Sequence, residues 1–197
     1  MQNPNLPPVL LATSSRYRKE LLERILDNFS MSSPDIDESR RPGEDPRDMV
    51  TRLAREKAEV FAGEHKGLII IGADQVAVLG NEILGKPGDR QQAIRQLMNS
   101  SGKSVNFLTA VCVLDIMSHN RYEHTDTTTV KFRQFDRRLA EAYVQKDEPY
   151  DCAGSFKAEG AGVVLMQSIV SEDPTALLGL PLIWLSARLR ELGVITP

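Results

Sequence analysis

The sequence predicts an α/β fold: a mixed, twisted sheet flanked by helices. Three observations carry that expectation. Short apolar runs bounded by turn residues, at 9–13 and 68–71, read as strands buried on both faces. Stretches between and after them repeat leucine and isoleucine at helical spacing and read as covering helices. Two long runs in succession, 105–115 and 122–132, meet at the turn Ser118-His119-Asn120 and form an antiparallel pair, which makes the sheet mixed.

With 197 residues the chain suits one domain or two tightly joined lobes. Its hydrophobic fraction of 41% and charged fraction of 26% are those of an ordinary soluble globular protein. A net charge of -3 disfavours nucleic acid or an anionic membrane as partner, so any anionic ligand must be held by a local cluster of bases. No apolar run approaches the roughly 20 residues of a membrane span. The N-terminal residues lack a basic region followed by an apolar stretch, so no signal peptide is expected. Cys112 and Cys152 lie far apart without metal-ligand spacing and are expected to be reduced thiols in a cytoplasmic protein. His65, His119 and His124 lie in polar stretches and form no zinc signature.

The elements follow in order. After a proline-broken tail, the first strand leads to Ser14, Ser15 and an amphipathic helix over 16–26, with Leu21, Leu22, Ile25 and Leu26 on one face. Hydroxyls, N–H groups and the bases Arg18 and Lys19 gather at its start, which reads either as an anion site or as a capped, solvated helix. A second strand at 29–33 leads to a proline-restricted loop holding Asp35, Asp37 and Glu38, either cation ligands or solvated acids. Pro46 opens a helix reaching Phe61, and Lys57 near its apolar edge reads as a surface lysine whose ammonium reaches water. Strand 76–79, the turn Gly80-Asn81 and strand 82–84 come next, then a helix capped by Asp89. Beyond the long antiparallel pair, a short helix over 137–144 precedes a glycine-rich stretch, 152–162, whose backbone has the freedom to approach a ligand. Lys157 and Glu159 carry its charges. A strand at 163–166 and a helix within 179–193, with Trp184 packed in the core, complete the chain.

The organising stretch is 68–76, where a carboxylate, Asp74, appears as an apolar strand should surface. Twelve residues on, Lys86 is held between Gly85 and Pro87. Open α/β sheets place ligands at strand mouths, so this pair suits metal-assisted chemistry on a phosphate; alternatively, Asp74 caps the following turn.

Eight segments in order resemble the Maf family of nucleoside triphosphate pyrophosphatases: 11–22, Asp37-Glu38, 53–58, 72–76, 85–87, 101–103, 153–155 and 179–182. None is specific alone, but together they span nearly the whole chain, read as one domain over 1–197. The resemblance implies hydrolysis of a nucleoside triphosphate to the monophosphate and pyrophosphate, with a divalent metal. It implies an inosine-triphosphatase-like fold with the active site in a cleft between two lobes, and homodimers, as members often form. Within the family the likeness is to the branch acting on 7-methyl-GTP, because Tyr17, Gln75 and Glu159 stand where the dTTP/UTP branch has Arg, Thr and Gln. Two departures are Tyr17, where the branch often has Trp, and Ser104, where many members have His.

The resemblance and the residue chemistry together assign roles. Asp74 is the general base, shared with metal, and Glu38 the second carboxylate, for metal or water. Arg18, Lys57 and Lys86 neutralise triphosphate charge. Ser14 and Ser15 hold phosphate oxygens. Tyr17, Gln75, Lys157 and Glu159 complete the substrate site, Tyr17 by stacking on a cationic base and Glu159 by accepting its N–H groups. Mg²⁺ is the expected ion, with Mn²⁺ or Co²⁺ as alternatives. Competing readings are the same reaction on dTTP, UTP or another non-standard nucleotide, and a nucleotide-binding regulator of cell division that catalyses nothing.

Overall fold

A single sheet runs through the molecule, and its strands change direction partway across. The computed structural model describes residues 7–63 and 67–195, so the tail 1–6 and His65 lie outside the described residues. Strands β1 (Val9–Ala12), β2 (Ser30–Ser32) and β3 (Ile69–Leu79) are parallel, in the order β2-β1-β3. On the other side of β3, β5 (Ser104–Asp115), β6 (Asn120–Phe132) and β7 (Met166–Val170) follow antiparallel. A hairpin strand, β4 (Glu82–Leu84), folds back on the end of β3.

Helices α1 (Arg16–Leu22), α2 (Pro46–Glu59), α3 (Arg90–Ser100), α4 (Arg137–Asp147) and α5 (Leu182–Glu191) cover both faces. Alternation along β3 decides which residue meets which helix. Ile70 and Val76 face α2 and pack with its Val50, Ala54 and Ala58. Ile69 and Ile71 face the opposite way, onto Leu21 and Leu22 of α1 and Leu185 and Leu189 of α5. Beyond them, Phe107, Val130 and Phe132 make a further core with Ile94 and Leu97 of α3 and Tyr143 and Val144 of α4. The lobe of α1, α2 and α5 and the lobe of α3 and α4 thus share one sheet.

Two local features set the geometry that matters. Gly72 lies under α2 so closely that a Cβ there would sit 2.2 Å from the Ala54 carbonyl oxygen and 2.8 Å from the Ala58 nitrogen. These are backbone atoms, which cannot swing aside. The second feature is a notch. β1 pairs with β3 only as far as Gly72, and β4 takes up the same edge only from Ala77. Asp74 and Gln75 lie in the gap, where the parallel strands have ended and the hairpin has not begun.

Several expectations are corrected. β3 does not surface at Asp74 but continues as one strand of 11 residues, because β5 pairs with it along nearly its whole length. α1 ends at Leu22, four residues early; turns carry Ile25 and Leu26 onto the same core while the chain reverses toward β2. Residues 163–166 are not a strand: 161–165 form a 3-10 turn, and β7 starts at Met166. The cause is Gly162, whose Cα packs against the Lys157 carbonyl with no room for a Cβ, so the chain is coiled there. Within the stretch 152–162, Gly154 packs against Ala77 and Gly160 against Asp147. Trp184 does pack against the core, but it is only half-buried and stacks on His124 with ring centroids 5.3 Å apart. Lys57 is no surface lysine: it is 6% exposed.

Gly72→Ala is expected to lower stability by about 1–3 kcal/mol by forcing α2 off the sheet; an unchanged urea midpoint would contradict that close approach. The Glu44 carboxyl, hydrogen-bonded by Arg52 more strongly than burial opposes, is held down from an ordinary 4.5 to about 2. The stability this adds is fully present above pH 4.5 and is lost as pH falls toward 2. Acid unfolding of Glu44→Gln, followed by circular dichroism, should therefore show less pH dependence across that window.

Candidate active site

The notch opens into a cleft of about 660 Å³, within the range of ligand sites. Its near wall is the turn after β1, with Thr13, Ser14 and Ser15 leading into Tyr17 and Arg18 of α1. Its far wall comes from Leu84, Gly85 and Lys86 after β4 and from Asp151, Cys152 and Glu159. Asp74 and Gln75 form the floor, with Lys57 and Glu38 to one side. Of the expected residues, Asp74, Glu38, Lys57, Lys86, Ser14, Ser15, Tyr17, Arg18, Gln75 and Glu159 all line it, and Lys157 does not. A smaller hollow of about 430 Å³, beside Arg40, Asp45, Asn81 and Asn106, contains none of them.

At the centre stands a carboxylate–ammonium–carboxylate bridge. Lys57 Nζ donates to Asp74 Oδ1 at 2.7 Å and lies 2.9 Å from Glu38 Oε1. Lys57 and Asp74 are buried, whereas the Glu38 side chain is 54% exposed. Asp74 Oδ2 makes no hydrogen bond among the described residues. Burial pushes the Glu38 carboxyl up, but the Lys57 hydrogen bond and charge, then Lys86 and Arg18, outweigh it and leave it below the ordinary range. Arg18 shows the reverse balance: burial lowers it more than Asp74 and Glu38 raise it. These mutual influences place Arg18, Lys57, Lys86, Asp74 and Glu38 in one electrostatic cluster.

Local structure explains how each is held. Ser15 caps α1, its Oγ accepting from Arg18 N at 3.4 Å. Thr13 Oγ1 in turn accepts from Ser15 N at 3.1 Å. Arg18 is steered by Nε donating to the Gly179 carbonyl at 3.1 Å. That carbonyl belongs to the segment gripped by Gln75, whose Nε2 donates to Thr109 Oγ1 and to the carbonyls of Ala176 and Leu177 at 2.8, 3.0 and 3.1 Å. Gln75 therefore spends its donor on the wall of the cleft, and its Oε1 makes no hydrogen bond among the described residues. Lys157 stands behind Tyr17, with Nζ donating to the Asp147 carbonyl at 2.7 Å and lying 5.9 Å from the ring centroid. The Arg16 guanidinium lies 5.1 Å from the same centroid.

The acidic loop contributes one member only. Asp37 accepts from Ser39 N instead of reaching the cleft, and among the described residues no group of three acids, histidines or cysteines is placed to hold a metal. Two carboxylates, all hard oxygen, nonetheless fit an ion of the Mg²⁺ class, which completes its shell with water and substrate phosphate. Thr13 and Arg52 escaped the sequence reading. Thr13 had a local signal, the hydroxyl run 13–15 before a helix; Arg52 had only the i,i+4 spacing to Glu56, because its other partners, Ser39 and Glu44, come from a loop. Cys152, at the rim, is pushed up to about 12 by burial and then Asp151, so it carries no thiolate near neutrality.

The model of the family described as Maf-like protein matches residues 8–192. A 7-methyl-GTP pyrophosphatase of Alcanivorax borkumensis is 49% identical over 97% of each chain. Another, from Pseudomonas syringae pv. syringae, is 50% identical over 98% of this chain and 100% of its own. A solved nucleoside-triphosphatase / dITP/XTP pyrophosphatase of Mycobacterium abscessus is 14% identical, with 96% of this chain and 99% of that one covered at a TM-score of 0.46. Matched over nearly its full length by the family and by relatives of equal extent, the chain belongs to the Maf family.

Proposed function

We propose that this protein hydrolyses 7-methyl-GTP to 7-methyl-GMP and pyrophosphate, removing a modified nucleotide from the pool. The observation that carries the chemistry is the Lys57 bridge between Asp74 and Glu38, in a cleft that also holds Arg18 and Lys86. By occupying Asp74 Oδ1, Lys57 leaves Oδ2 to accept a proton from the attacking water. Ser14 and Ser15 hold phosphate oxygens, and Arg18 and Lys86 balance the charge that builds on the leaving pyrophosphate. A divalent ion of the Mg²⁺ class, held by Asp74 and Glu38, would supply further neutralisation at the phosphates.

For the choice of base, support comes from Tyr17 and Glu159 in the same cleft and from the names of the relatives. A 7-methylguanine ring is cationic, so an aromatic face adds roughly 0.5–2 kcal/mol over neutral stacking. Glu159 then accepts from the base's N1–H and amine as a charged acceptor. Stacking there competes with Arg16, which already lies near the Tyr17 ring. Cleavage of dTTP or UTP instead would show directly in a nucleotide panel; a regulator without catalysis would bind nucleotide and release nothing.

Pyrophosphate release measured across 7-methyl-GTP, GTP, dTTP and UTP, with and without Mg²⁺, should give the highest kcat/KM for 7-methyl-GTP and none without the ion. Glu159→Gln should reduce the preference for 7-methyl-GTP over GTP by about tenfold, the difference between a charged and a neutral acceptor. In Asp74→Asn, kcat should drop by about 10²–10⁴-fold while equilibrium dialysis still detects nucleotide; turnover near wild type would remove Asp74 from the role of base.

A further inference from the structure

Glu38 stands opposite Lys57, yet it belongs to a segment, 33–45, that has neither helix nor strand. A carboxylate on such a segment keeps its place only where the backbone beside it is tied down. The ties converge on one side chain of α2. Arg52 Nη2 donates to the Ser39 carbonyl at 3.1 Å, one residue past Glu38. The same guanidinium takes both oxygens of Glu44, Nε to Oε1 at 2.6 Å and Nη2 to Oε2 at 2.8 Å. Its Nη1 is braced by Glu56 Oε2 at 2.9 Å, one turn along the helix. The loop's own polar groups tighten the same knot: Arg41 N donates to Glu44 Oε2 at 3.0 Å and Arg40 Nε to the Glu44 carbonyl at 2.8 Å. Arg52 is 8% exposed and does not line the cleft.

We infer that Arg52 is a positioning residue: it clasps 39–44 against α2 and so holds Glu38 in front of Lys57. The inference rests on the pyrophosphatase reading for its kinetic consequence and on geometry alone for the clasp. Lys57 rides on the same helix five residues later, so one rigid element presents the ammonium and also fixes where its second carboxylate partner lies. A planar fork is needed for this. A lysine at 52 gathers its donors on one nitrogen and lacks the spread of a guanidinium, which reaches the Ser39 carbonyl, both Glu44 oxygens and Glu56 from three separate nitrogens.

The test compares Arg52→Lys with Glu44→Gln, which opens the same clasp from the loop side and is the milder change should the first fold poorly. Arg55→Ala is the control; Arg55 lies on the same helix, and its loss breaks the 2.6 Å pair with Glu123 of β6 without touching the loop. Amide hydrogen exchange over 37–44 should quicken about tenfold or more in both clasp variants and stay unchanged in Arg55→Ala. In pyrophosphate release, kcat should fall about ten- to a hundredfold with KM nearly constant. In a Glu38→Gln background, Arg52→Lys should cost no more than about a further twofold, because the group it positions is already disabled. Unchanged exchange over 37–44, or the same kcat loss with and without Glu38, overturns the inference. Quickened exchange in the clasp variants, with a wild-type protein that cleaves no nucleotide, upholds the clasp and refutes the pyrophosphatase reading instead.

Discussion

The site depends on the closeness of α2 to β3 at Gly72. With no side chain in the way, the backbone of α2 at Ala54 and Ala58 rests directly on the strand. Lys57, between those two alanines in the contact region, is thereby buried within 2.7 Å of Asp74. Two ions this far out of water are stable only when each meets the other with good geometry. Here the strand supplies one and the helix the other, so their spacing is a property of the packing. A bulkier residue at 72 would move the helix, and the ammonium would move with it.

The sheet supplies the second half of the arrangement. In a continuous sheet a residue in the middle of an 11-residue strand has neighbours on both sides and little room for a ligand. β3 escapes this because β1 stops at its partner Gly72 and β4 begins only at Ala77. The hydroxyl-rich turn after β1 and the Gly85-Lys86-Pro87 turn after β4 then face each other across the gap. The cleft thus sits where the sheet changes from parallel to antiparallel pairing, the kind of break at which open α/β sheets bind ligands. Gln75, on the opposite face of the strand from Asp74, ties the 176–177 carbonyls and through that segment the Gly179 carbonyl that steers Arg18. One strand therefore organises both walls.

Much of this was legible in the chain. The buried runs, the capping residues Ser15 and Asp89, Pro46 at the start of α2, the hairpin at Gly80-Asn81 and the long antiparallel pair all follow from local periodicity and turn chemistry. Failures fell where tertiary demands outweighed local preference. The apolar run 163–166 had a strand's composition, but Gly162 is wedged against Lys157 and the chain coils before it can pair. Lys57 had the spacing of an edge lysine, and nothing local records that a glycine fifteen residues later lets its helix sink onto the sheet.

By itself, then, the sequence determined which segments are strands and helices, the mixed character of the sheet, and the types of side chain offered to a phosphate. These depend on contacts a few residues apart, and such contacts are written in the order of residues. Only the tertiary structure decided that Lys57 bridges Asp74 and Glu38, that Gln75 serves the wall of the cleft, and that Arg52 holds the acidic loop. Each of those is a meeting of elements distant in the chain, governed by how closely backbones approach and by which carboxylate shares which charge in a place water scarcely reaches.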